Sequence, residues 1–339
     1  MRYRHLGNSG LEVSETGLGA NSFGEPGRRD YAESKSIIYA AIDHGINFID
    51  TSNVYAQGVS EEYIGRALEG RRQEMLIGTK FGSKREHGPN LFGGGRKFVM
   101  DAIEDSLRRL RTDYIDLYMI HRPDPRLPLD ETLRAMDDIV RQGKALYIGV
   151  CNFEAWRMVD AVWTSNAGGM TQIISSQFEY SMLQRCGEAE MLPACRAHGV
   201  GVMPYLPLAA GFLTGKVDVS GKAPSGTRLD LDAGQSERWI TDDNLRTISA
   251  LQDWAVSRGK TLLELAFAWL LADPIVSTVI AGASSPEQIA QNASASSWQI
   301  TAEQRDEVTA ILDAHPIDEI RTYYSVAGYF GEQVEVVKE

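Results

Sequence analysis

Residues 114–152 read YIDLYMIHRPDPRLPLDETLRAMDDIVRQGKALYIGVCN: an apolar run, a polar break, an amphipathic stretch and a second apolar run. YIDLYMIH and ALYIGVCN are short and bounded by polar, Gly or Pro residues, the pattern of buried strands. Between them Leu129, Leu133, Met136 and Val140 recur at helical spacing, so one face of that segment is apolar and a helix is expected. Strand, helix, strand in this order implies a parallel pair, because parallel neighbours need a crossover of helix length.

The same unit repeats on both sides. Upstream lie ETGLGA, INFIDT and EMLIGTKF; downstream lie IISSQFEY, GVMPYLPL and STVIAGAS, which with the first two makes eight candidate strands. Val99, Ile103, Leu107 and Leu110 mark another amphipathic helix between two of them. Eight βα units without a break in composition predict a single α/β domain over residues 1–339, a closed (β/α)8 TIM barrel. A doubly wound dinucleotide-binding sheet would carry GxGxxG at its first strand-to-helix turn, but Gly17-Leu18-Gly19-Ala20-Asn21-Ser22 lacks the last glycine.

Three segments fall outside the repeat. Residues 1–14 alternate in MRYRHL, turn at Gly7-Asn8-Ser9-Gly10 and continue as LEVS, which predicts a β-hairpin placed to plug one end of the barrel. Residues 209–244 follow the seventh strand, are rich in Gly, Asp, Ser and Lys, and read as a long covering loop at the C-terminal face. Residues 315–339 form a C-terminal tail.

With 34 Lys plus Arg against 46 Asp plus Glu the formal net charge is -12, which repels nucleic acid and anionic lipid at long range. Cys151, Cys186 and Cys195 make neither a CxxC pair nor an even framework, and MRYRHLGNSG has no secretory apolar region, so a cytoplasmic location is expected. LLELAFAWLLA at 262–272 is too short to span a bilayer and is interrupted by Glu264. His5, His44, His87, His198 and His315 show no metal-ligand spacing among themselves, which argues against a metal-dependent hydrolase or lyase. Oligomeric state stays open.

In such a barrel the working face collects the C-terminal ends of the strands, so ionisable residues that close an apolar run stand out. Asp50 closes INFID, Lys80 closes MLIGTK and His121 closes DLYMIH, while Tyr55 lies just beyond Asp50. A lysine ammonium beside a tyrosine stabilises its phenolate and makes the phenol a better acid near neutrality. An aspartate holds that lysine charged and aimed, and a histidine can donate to a carbonyl oxygen. These four residues predict a catalytic group acting on a small-molecule carbonyl.

At this point the chain resembles the aldo-keto reductase superfamily, through GINFIDTSNVYAQGVSEEYIGRAL, IGTKF and DLYMIHRPD, with further likeness from RHLGNSGLEVS to GASSPEQIAQN. The resemblance implies reduction of an aldehyde or ketone by a nicotinamide cofactor, with Asp50, Tyr55, Lys80 and His121 catalytic and Tyr55 the general acid. It also implies cofactor contacts from Gly19, Ala20, Asn21 and Asp50, then from Cys151, Asn152 and Gln177. Asn152 and Gln177 take the place of the pair that holds the carboxamide, and Tyr205 that of the shelf for the ring. Further contacts are implied at Leu206, Pro207, Leu208, Gly211 and Leu213, and at Ile280, Gly282, Ala283, Ser284, Gln288, Gln291 and Asn292. Cys151 departs from the serine usual in the family.

GASSPEQ, residues 282–288, contains no cation, and in this form it resembles the potassium-channel beta subunits and their bacterial relatives. That resemblance implies Ser and Gln contacts to a 2′-phosphate with charge from the long loop, where Lys216 and Arg228 stand, and so NADPH rather than NADH. It also keeps open a second function, a cofactor-binding redox sensor with little turnover. Substrate selection is expected from the region after Asn21, from Gly82–Arg96 and from the tail, through Phe92, Tyr323, Tyr324, Tyr329 and Phe330.

Overall fold

The computed structural model describes residues 1–24, 29–83, 88–217 and 221–314. Two short strands, β1 (Tyr3–His5) and β2 (Glu12–Ser14), pair antiparallel as a hairpin. They are followed by β3 (Thr16–Gly19), β4 (Phe48–Asp50), β5 (Leu76–Phe81) and β6 (Ile115–Ile120). After these come β7 (Ala145–Cys151), β8 (Ile173–Glu179), β9 (Gly201–Tyr205) and β10 (Val279–Gly282). The last eight close in the order β10-β3-β4-β5-β6-β7-β8-β9, every pair parallel. All eight expected strands form, and the fold is a (β/α)8 barrel.

The helices obey the spacing that announces them. Leu129–Arg141 buries Leu133, Ala135, Met136 and Ile139, and Arg96–Leu110 buries Val99, Ile103, Leu107 and Leu110, each against the outer face of the barrel. Glu264 has a local purpose: with Thr261 it forms a capping box at the start of helix Leu262–Leu271, satisfying backbone N–H groups that would otherwise be orphaned. Among the described residues no helix is long and apolar enough to cross a membrane.

The hairpin closes the end of the barrel where the strands begin. Leu6, Leu11 and Val13 pack with Phe48, Leu117, Met119, Ile174, Met203 and Ile280 to fill the interior from below. Its turn is held tightly: Gly7 has φ +58°, and a Cβ there would lie 2.5 Å from the carbonyl oxygens of both Ile174 and Gly199. Only glycine suits that conformation and that approach.

The segment 209–244 differs from the expected loop. It carries a 3-10 turn at Ala209–Thr214, short helices at Arg228–Leu231 and Ala233–Trp239, and the start of helix Asp242–Val256. Leu229 and Trp239 are buried and anchor it to the core, work that two isolated apolar residues do without any periodicity. The tail 315–339, with Tyr323, Tyr324, Tyr329 and Phe330, lies outside the described residues, as does His87.

Candidate active site

Three neighbouring strands bring the ionisable residues together. Asp50 ends β4, Lys80 stands one residue from the end of β5, and His121 follows β6 directly, its N–H donating to Phe81 O at 2.7 Å. Lys80 Nζ donates to Asp50 Oδ2 at 2.7 Å and to Thr51 O at 2.8 Å, and reaches Tyr55 Oη at 3.5 Å. The Tyr55 and His121 rings meet edge to face, 5.9 Å between centroids. The four residues expected from the sequence therefore converge.

Tyr55 opens a turn, Tyr55–Gly58, whose next three residues all have positive φ: Ala56 at 47°, Gln57 at 56° and Gly58 at 99°. Two non-glycine residues in the left-handed region cost roughly 1–3 kcal/mol each, so the surroundings must impose the turn. Beneath it Glu61, fully buried, accepts from Arg109 Nε at 2.7 Å and from Thr79 Oγ1 at 2.6 Å. Arg109 in turn packs under Gly58, where a Cβ would come within 2.9 Å of its Cδ.

Burial dominates the electrostatics. It pushes the Tyr55 phenol up to about 12, and the nearby Lys80 charge offsets only part of that. Lys80 lowers the phenol, as the sequence leads one to expect, but the net shift is upward because desolvation of a phenolate outweighs one ammonium already bound to Asp50. Burial also disfavours the Lys80 ammonium, yet Asp50 reverses this and leaves its pKa above the ordinary lysine value. His121 is held well below the usual histidine range by burial and by the Lys80 and Arg122 charges, so its ring is neutral. Burial likewise lifts the Cys151 thiol to about 12, which leaves it a small weak donor rather than a nucleophile.

Around this group lies a second hydrogen-bonded set. Gln177 Nε2 donates to Asp50 Oδ1 at 2.9 Å, and Cys151 Sγ lies 3.5 Å from Gln177 Oε1. Asn152, at φ 58°, donates through Nδ2 to His121 O at 3.0 Å and accepts from Tyr205 Oη at 2.7 Å. Beside them opens a solvent-facing pocket whose walls include Asn152, Phe153, Phe178, Met191 and Tyr205.

The remaining expected cofactor residues continue along the rim in barrel order. Gly19 pairs with Gly282 at the β3–β10 seam, Ala20 N–H donates to Asp50 O at 2.9 Å, and Asn21 is half-buried. Ala283 is buried there too, whereas Ile280 packs into the barrel interior with the hairpin cluster rather than onto the rim. Ser284 N–H donates to Gln288 Oε1 at 2.8 Å, and Asn292, which with Gln291 lies on helix Pro286–Ala295, reaches back to Gly282 O at 3.4 Å. Past β9, Leu206 has φ 50° and Gly211 φ 103°, with Pro207 and Leu208 between them and Leu213 buried behind. Lys216 is exposed. Arg228 stands near Glu179, whose carboxyl is raised by burial although Arg238 pairs with it at 2.8 Å. Phe92 is half-buried, with the Arg126 guanidinium 4.5 Å from its ring centre.

One contact has no counterpart in the sequence reading: Ser52 Oγ lies 3.0 Å from His121 Nδ1. Its only signal was its place two residues past Asp50, inside a polar run that read as loop. Among the described residues no group of three or more His, Cys, Asp or Glu is placed to hold a metal ion.

Fold and site together define a (β/α)8 barrel with an ionisable cluster at the mouth where its strands end. The chain belongs to the Aldo/keto reductase family, a family of oxidoreductases, which it matches over residues 15–313. It is 39% identical over 301 residues to a probable voltage-gated potassium channel subunit beta of Arabidopsis thaliana, covering 86% of this chain and 90% of that one. It is 33% identical over 307 residues to L-glyceraldehyde 3-phosphate reductase of Escherichia coli (strain K12), covering 87% of each. Among solved structures, an aldo-keto reductase from Bacillus halodurans in its holo form superposes with a TM-score of 0.75 at 32% identity, over 92% of this chain and 96% of that one.

Proposed function

We propose that this chain is a cytoplasmic NADPH-dependent reductase of aldehydes or ketones in which Tyr55 is the general acid. The observation that carries the reading is the Lys80 ammonium, fully buried and set between Asp50 and the Tyr55 phenol. A structural protein gains little from such a pair, whose desolvation cost is large.

The residues present suit a dinucleotide. Left-handed backbone recurs at Asn152, Leu206, Ala209 and Ala210, all on the rim past β7 and β9, and strain of this kind gathers at ligand clamps. Strands β4 to β6, which carry or lead into Asp50, Lys80 and His121, occupy one arc of the barrel, and the expected cofactor residues other than Asp50 lie along the complementary arc from β7 through β10 to β3. Ser284, Gln288, Lys216 and Arg228 support the phosphorylated dinucleotide, through polar groups at a helix start and cations on the loop. When bound, the reduced nicotinamide supplies a hydride to the carbonyl carbon.

The chain's own residues do the rest. His121, neutral, donates to the carbonyl oxygen and polarises it. Tyr55 delivers its proton to that oxygen, and with a pKa of about 12 it is loaded with that proton at every physiological pH. Lys80 stabilises the phenolate left behind, while Asp50, fixed on its other oxygen by Gln177, keeps the lysine charged and aimed.

Likeness to L-glyceraldehyde 3-phosphate reductase supports an aldehyde as the substrate class. Likeness to a channel beta subunit supports the second reading, an NADPH-binding redox sensor. The test is loss of reduced-nicotinamide absorbance with NADPH, and separately NADH, over a panel of aldehydes and ketones, with Tyr55→Phe beside the wild type. Turnover with NADPH that disappears in the variant is expected. Tight NADPH binding without turnover moves the assignment to the sensor, and full turnover in Tyr55→Phe removes the role of Tyr55.

A further inference from the structure

A neutral imidazole has one N–H and one bare nitrogen, and only the protonated nitrogen can polarise a carbonyl. For His121 the choice is made at Nδ1, because that nitrogen already has a partner: Ser52 Oγ, 3.0 Å away and fully buried. The serine has a single proton, and two arrangements are open to it. It can donate to Nδ1, which leaves the proton of the ring on Nε2. Alternatively it donates to Lys80 O and accepts from Nδ1–H, which leaves Nε2 bare.

The distances separate the two. Ser52 Oγ lies 3.4 Å from Lys80 O, beyond the usual hydrogen-bond range, against 3.0 Å to the ring. Lys80 O does not need the serine, since it already accepts from Asn53 N–H at 3.1 Å. Nδ1, by contrast, has no other donor within reach among the described residues, and a buried lone pair without one costs about 1–3 kcal/mol in desolvation.

We infer that Ser52 is a positioning residue that donates its hydroxyl proton to His121 Nδ1 and so sets the Nε2–H tautomer, the one able to donate to a substrate carbonyl. The catalytic consequence rests on the reductase reading above; the tautomer does not. No bond to carbon changes in this step, and the serine proton stays on its oxygen throughout. Oxygen acceptors in the substrate are thereby favoured over donors such as amines at the position facing His121.

The experiment is long-range proton–nitrogen correlation NMR on the nitrogen-15-labelled full chain near neutral pH, with the His121 signals assigned by their loss in His121→Gln. The wild type is expected to show His121 neutral and protonated on Nε2. Ser52→Ala, which removes one buried oxygen and leaves the backbone unaltered, is expected to lower the Nε2–H population, and Ser52→Thr, which keeps a hydroxyl, to restore it. In turnover, Ser52→Ala is expected to lower kcat/KM about tenfold, the loss of one well-made hydrogen bond. A wild-type ring protonated on Nδ1, or an alanine variant with the Nε2–H population unchanged, overturns the inference. A chain that shows the expected tautomers but reduces no carbonyl sinks the reductase proposal and leaves the role of Ser52 standing.

Discussion

Replacing Lys80 by methionine removes a charge whose side chain has no solvent exposure, from a partner, Asp50, that is 5% exposed. Breaking a buried pair from one side costs about 3–5 kcal/mol, because the remaining charge is left in a poor medium. The low end applies here, since Asp50 keeps one bond, from Gln177 Nε2 at 2.9 Å. For a chain of 339 residues the unfolding entropy is roughly 0.7 kcal/mol per kelvin, so a loss of about 3 kcal/mol lowers the melting temperature by about 4 °C. Adding Asp50→Asn to Lys80→Met removes the stranded charge and recovers most of the loss, but turnover stays at background because nothing stabilises the Tyr55 phenolate. Thermal melts and initial rates on the wild type, both single variants and the double variant test the cycle. The reasoning fails if Lys80→Met melts within about 1 °C of the wild type, or if the double variant is no more stable than the single.

Two further outcomes follow from the same geometry. Burial holds the Tyr55 phenol at about 12, above its ordinary 10.0, so above that lower value the unfolded chain ionises where the folded chain cannot, and stability falls as pH rises through that window. Tyr55→Phe should therefore lose less stability than the wild type between about pH 8 and about pH 11, read as the difference in melting temperature; equal slopes would dissociate the phenol from the burial. Gly7→Ala places a methyl group 2.5 Å from two backbone carbonyl oxygens at positive φ and should cost about 2–4 kcal/mol in denaturant melts, with kcat per folded molecule unchanged because the site is at the opposite end of the barrel.

Much of this candidate site is legible in the sequence because barrel strands end on the residues that line the mouth. INFID, MLIGTK and DLYMIH each run from core to mouth, so the last ionisable residue of each run marks a position in space as well as in the chain. The hairpin was legible for a similar reason, its turn residues standing between two alternating runs. Helices in 209–244 were not, because Leu229 and Trp239 are single anchors and a four-residue helix has no period to read. The direction of the Tyr55 shift was not legible either. Charge neighbours can be inferred from order along the chain, but depth of burial depends on how the turn 55–58 is folded onto Arg109. Ser52 escaped because its meaning lies in a contact across 69 positions, with His121.

The pairing of β3 with β10 joins Thr16 to Val279, nearly the first and nearly the last residues of the barrel wall. During synthesis the first wall strand therefore emerges long before the strand that will sit beside it. At ribosomal rates of about 5–20 residues per second its outer edge waits on the order of tens of seconds. Over the same interval Leu6, Leu11 and Val13 have an incomplete set of partners, since Ile280 is the last of them to be made. A nascent chain of this shape holds an open strand edge and an apolar hairpin until its last wall strand is made, so truncations that remove β10 should be far more damaging than their length suggests.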